Sequence, residues 1–142
     1  MIPFLALFLL LAPPGPTSLD QVKADPNPEH RARAAIDYAA VAEKSAESAY
    51  SRGDAQGVAA ELKNVEESLE AAQEAFTAAH KTPGRNPGPF KYAELHSREL
   101  LIRLGDLEQK MDSGERSQIT GVKARVQELH DAWFEGIMGR KK

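Results

Sequence analysis

Between residues 58 and 79 the apolar side chains fall at Val58, Leu62, Val65, Leu69, Ala72, Phe76 and Ala79, in steps that alternate four and three. On an α-helix that spacing sets all seven on one narrow stripe, with Glu61, Lys63, Glu66, Glu67, Glu70 and Glu74 outside it. A stripe this narrow is a seam for other helices. The remainder of the chain supplies three more helices to pack against it.

The first runs over 29–52. Asp25-Pro26 and Asn27-Pro28 each join a good N-cap to a proline suited to the first helical position. Its inward stripe is small: Ala32, Ala35, Ile36, Ala39, Ala42, Ala46 and Ala49, ending at Tyr50, with Tyr38 and Val41 on a neighbouring face. Gly53 ends this helix and Asp54 caps the next, over 55–81, so the two form a tight antiparallel hairpin. Arg52-Gly53-Asp54 also spells an integrin-binding tripeptide, but the two caps account for both Gly53 and Asp54. Glu66, Glu70 and Glu74 read as a solvated face.

Residues 82–90, TPGRNPGPF, form the longest connection, a basic loop that excludes helix and spans the bundle end with Phe90 tucked beneath it. A third helix over 91–113 has its seam at Ala93, Leu100, Leu104, Leu107 and Met111. Leu95 and Ile102 lie off that seam, which predicts cover on two sides. Three acid-before-base pairs, Glu94 with Arg98, Glu99 with Arg103 and Asp106 with Lys110, support the helix. Gly105 in its middle predicts a tight crossing. Gly114 stops it, and a fourth helix over 116–138 carries Ile119, Val122, Val126, Leu129 and Trp133 on its seam. The expected fold is all-α: an antiparallel up-down four-helix bundle of two helical hairpins. A weak internal echo, 61 residues from first helix to third and 64 from second to fourth, fits either a duplicated hairpin or the shared geometry of two hairpins.

Ahead of the bundle, residues 1–18 read as an export signal. MIPFLALFLLLA is followed by Pro13-Pro14-Gly15-Pro16, and no side chain before Asp20 is charged. The apolar core of about eleven residues suits a signal peptide (~7–15) and falls short of the ~20 that span a bilayer. Residues 19–28 read as a flexible polar tether, and 29–142 as the exported bundle, periplasmic or secreted.

Composition narrows the chemistry. With no cysteine in 142 residues, disulfides, thiolate zinc sites and thiol nucleophiles are excluded. A net charge of −3 with no basic stripe argues against nucleic acid as partner. The serines lie on helices or their ends, none in a glycine-rich elbow, so a catalytic triad is not indicated. The candidate metal or ligand residues are His96, Glu99 and His130 in the second hairpin, since His96 and Glu99 share a helical face. They lack the paired Glu-x-x-His elements of a bundle di-metal site.

The layout is similar to that of the cytochrome b562 type: an export signal, four short helices, a proline-rich second connection and a histidine in the fourth helix, His130. That resemblance implies a haem held between a first-helix methionine and His130, but this first helix has no methionine. The resemblance is therefore one of outline, and no cofactor follows from it.

The reading that results is a non-catalytic exported bundle acting by protein–protein contact with another protein of the cell envelope. Trp133, Phe134 and Met138, beside the basic tail Arg140-Lys141-Lys142, are the candidate partner contacts. The alternative is a periplasmic carrier of a small ligand, haem or metal in the second hairpin. Peripheral membrane attachment through the aromatic and basic C-terminal end is a third expectation.

Overall fold

The computed structural model describes residues 18–139. The expected export signal therefore lies, except for Ser18, outside the described residues, as does the basic tail. Among the described residues the chain is all-helical, with five helices and no strand: α1 (Leu19–Lys23), α2 (Pro28–Ser51), α3 (Ala55–Ala78), α4 (Pro87–Lys110) and α5 (Ser117–Met138).

The expected tether over 19–28 is corrected: its first half is α1. Ser18 Oγ accepts a hydrogen bond from the Gln21 amide at 3.2 Å, which caps a short turn. Leu19 and Val22, four-three neighbours on that turn, are buried against α2 and α3. A chain segment that buries two aliphatic side chains gains enough apolar cover to hold even a short helix in place.

Asn27 caps α2 through its side-chain oxygen, which accepts from the amides of Glu29 and His30, and Pro28 occupies the first turn. Both helices of the first hairpin end on a left-handed residue. Gly53 has φ +70°, and the Asp54 amide reaches back to the Ala49 carbonyl at 2.9 Å. Asp54 in turn caps α3 by accepting from the Gly57 amide at 2.9 Å. The same pattern ends α3, with His80 at φ +56° and the Lys81 amide on the Phe76 carbonyl at 3.0 Å. That turn stops α3 before residue 81, shorter than the spacing alone predicts.

α4 begins inside the stretch expected to be loop. Pro87 and Pro89 both sit in its first turn, where backbone N–H groups have no helical partner and proline is tolerated. The connection contracts to 79–86, and Phe90 is buried beneath it.

The helices close as two antiparallel hairpins, α2·α3 and α4·α5, packed side by side, with α2 on α4 and α3 on α5. Across the first of these interfaces Asp37 meets Tyr92, Glu43 meets Arg103 and Tyr50 meets the Lys110 carbonyl. The residue numbers rise together, so α2 and α4 run parallel. The same holds for α3 and α5, where Glu70 meets Arg125 and Gln73 meets Trp133. The 79–86 connection therefore crosses the diagonal of the bundle end. It is pinned there by Gly136, where an added Cβ would lie 2.6 Å from Pro83 Cγ.

The core follows the predicted seams. The bulky α3, α4 and α5 positions are buried, and so are the α2 alanines. Two expectations for α4 are corrected. Leu95 and Ile102 are exposed, so no second side of that helix is covered. Gly105 marks no tight crossing, since an added Cβ would meet only the Lys123 amine at 3.8 Å.

Candidate functional site

α4 and α5 carry every residue that the sequence offers as a site. His130, on α5 and largely buried, has Nε2 3.3 Å from Glu94 Oε1 on α4 and Nδ1 3.1 Å from the neighbouring Asp131 Oδ1. Glu94 also accepts from Arg98 at 3.1 Å, the predicted one-turn pair. Asp131 takes a further hydrogen bond from Gln127, and the bonds from His130 and Gln127 hold its carboxyl below the usual carboxylate range. The two carboxylates lie against opposite nitrogens of the imidazole. They orient and clamp the ring and do not converge on a point where an ion would sit.

His96 belongs to a different group. Its Nδ1 is 3.8 Å from Glu99, and its ring packs on Tyr92 at 4.1 Å between centroids. Glu99 thus faces His96, while Arg103, its expected partner, turns to Glu43 and Glu47 on α2 at 3.5 and 3.8 Å. The structure does not bring His96, Glu99 and His130 together. Among the described residues no group of three or more histidines and carboxylates is arranged to hold a metal ion.

Of the candidate contact residues, Trp133 is corrected: it is 1% exposed. Its indole meets the Phe76 ring edge to face at 6.1 Å, and its N–H donates to Gln73 Oε1 at 2.6 Å. It is an inter-hairpin anchor and has no surface to offer. Phe134 and Met138 are 44% and 51% exposed. The Phe134 ring stacks over His130 at 6.0 Å, and His130 reaches Glu94, so Phe134 lies toward α4, on the N-terminal side of Glu94 in this antiparallel pair. Leu95 and Ile102, two turns apart on the outward ridge of α4, are 43% and 61% exposed. Sequence reasoning assigned these two to a covered face. They are the residues that it missed, and their place off the seam was the signal.

One polar residue in the interior is also new. Glu43 is fully buried in the alanine stripe of α2, where Arg103 Nη1 approaches Oε2 and Oε1 has no partner. Burial pushes its carboxyl up to about 7, helped by the nearby negative charge of Glu47 and opposed by Arg103.

Set against known protein families, curated proteins and solved structures, the chain matches none. In this bundle α2 and α5 lie on a diagonal, and both nitrogens of His130 face carboxylates.

Proposed function

We propose that this chain is an exported, non-catalytic helical bundle that works by contact with another protein of the cell envelope, through the outer face of the α4–α5 hairpin. The observation that supports it is an asymmetry. Of the large apolar side chains left exposed among the described residues, Leu95, Ile102, Phe134 and Met138 lie on this hairpin, and Val41 alone lies on the other. Each is already about half covered, so covering the rest would gain roughly 1–1.5 kcal/mol. Leu95 and Ile102 are seven residues apart, and Phe134 and Met138 are four apart on the adjoining helix. That is the spacing at which one apolar helical face receives another. The partner segment we infer is an amphipathic helix of about two turns or more.

A photo-crosslinking residue at position 134 or 102, expressed in cells that export the chain, tests this. The expected result is one partner adduct from either position and none from exposed position 56 at the far end. Leu95→Asp with Phe134→Asp abolishes the adduct from position 102 and leaves the helical melting curve unchanged. No adduct at 134 and 102, or the same adducts at 56, overturns the reading. Flotation of the purified chain with anionic vesicles, lost on Phe134→Asp, replaces the protein partner with a membrane surface. A chain found only in the cytoplasm, at full length, overturns the export.

A further inference from the structure

A cleft of about 340 Å³ opens at the end of the bundle, where α2 begins, α3 ends and α4 begins. Its floor is apolar, made by Ile36 and Phe76, both buried in the core. Tyr92 forms one wall, and its hydroxyl donates to Asp37, which fixes the ring. The Arg33 guanidinium lies 4.2 Å above that ring. Gly88 on α4 leaves the opposite side open, since an added Cβ there meets nothing within 4 Å. Lys81 closes the cleft, its amine held by Glu29 at 2.9 Å.

The two cations differ in what they have left to bind. The charge of Lys81 is already met by Glu29. Arg33 forms no ion pair among the described residues. Arg33 stands over the Tyr92 ring and also hydrogen-bonds the Tyr92 hydroxyl, which engages part of its set of five N–H donors and leaves its charge without a carboxylate partner. A guanidinium with no ion pair and donors to spare at the mouth of an apolar cleft matches a carboxylate carried on a hydrophobic body. The volume is at the small end of the roughly 300–1,000 Å³ usual for ligand sites, enough for one ring or a short chain.

We propose that this cleft binds a small amphipathic monocarboxylic acid, its carboxylate on Arg33 and its ring or alkyl chain between Tyr92 and the Ile36–Phe76 floor. One unpaired cation selects a monoanion over a polyphosphate. The site is independent of the α4–α5 contact face.

Amide chemical shifts of the purified chain, titrated with phenylacetate, hexanoate and neutral phenylacetamide, test the proposal. Both acids are expected to produce saturable shifts at Arg33, Phe76, Gly88 and Tyr92, with phenylacetamide at least about tenfold weaker. Arg33→Gln lowers acid affinity about tenfold and leaves phenylacetamide unchanged, and Arg33→Lys, which keeps the charge and loses the fork, falls between. Gly88→Leu fills the open side and blocks both acids. Arg33 is at the surface, so its variants keep the fold even if the Gly88 variant does not. The proposal is overturned if neither acid moves a cleft amide up to about 10 mM. Equal binding of acid and amide, or undiminished acid binding by Arg33→Gln, overturns it as well.

Discussion

Glu43 sits where the four-three spacing of α2 puts a core residue: Ala32, Ile36, Ala39, Glu43, Ala46 and Tyr50 follow it without a break. Reading the stripe by hydrophobicity passes over the one charged member, although its position says that it faces inward. The consequence is a dependence on pH. Its carboxyl is raised from 4.5 to about 7, mainly by burial, so the folded chain holds a proton that the unfolded chain releases. The stability from this group is complete below about 4.5 and is lost as pH rises through about 7. At 1.36 kcal/mol per unit the loss is about 3 kcal/mol at most. Glu43→Gln keeps the shape and removes the titration. Urea melts should show wild type losing stability from about pH 5 to about pH 8, and the variant level across that range. The left-handed turns make a second contrast. Gly53→Ala forces a Cβ into φ +70° and should cost about 1–2 kcal/mol, whereas His80→Gly relieves φ +56° and should gain about 0.5–1 kcal/mol. The urea midpoints of the two variants should move in opposite directions.

At the scale of elements, helices declared by a periodic seam were legible and their edges less so. The α3, α4 and α5 seams are buried as their spacing requires. The start of α4 was hidden because Pro87 and Pro89 read as breakers, and only their place in a first turn makes them compatible with helix. α1 was hidden because five residues are too few to show a period, and what holds it is the fit of Leu19 and Val22 onto α2 and α3. The site was legible in kind and not in arrangement. Trp133 and Phe134 are adjacent in sequence, yet one is sealed between hairpins and the other faces outward, a difference set by which helix α5 leans against. The glycines follow the same rule. Gly105 interrupts α4 without touching a neighbour closely, so Gly105→Ala should stabilise by up to about 1 kcal/mol. Gly136 lies under Pro83, where a side chain would collide with the ring, so Gly136→Val should destabilise by about 1–3 kcal/mol. Thermal melts of the two variants check both signs.

The molecule as a whole is two hairpins laid parallel, and neither completes a core alone. The inner face of α2 is mostly alanine, which buries little area per residue, so the first hairpin depends on bulkier side chains from α4 and α5. At the end spanned by 79–86, Phe76 of α3, Phe90 of α4 and Trp133 of α5 pack ring against ring, with Phe76 and Phe90 centroids 4.3 Å apart. This cluster joins the hairpins at the point where the chain crosses between them. Unfolding should therefore be one cooperative event and not two. Trp133 is the single tryptophan and reports from the second hairpin, while far-ultraviolet circular dichroism reports from all helices. Leu69 in the first hairpin and Leu104 in the second are both buried, and truncating either to alanine should cost about 2–5 kcal/mol. The decisive variant is Leu69→Ala. If the hairpins share one core, it shifts the Trp133 fluorescence transition as far as the circular dichroism transition, and the two stay superimposed. A fluorescence transition left in place while the helical signal moves would mean that the α4–α5 hairpin stands by itself.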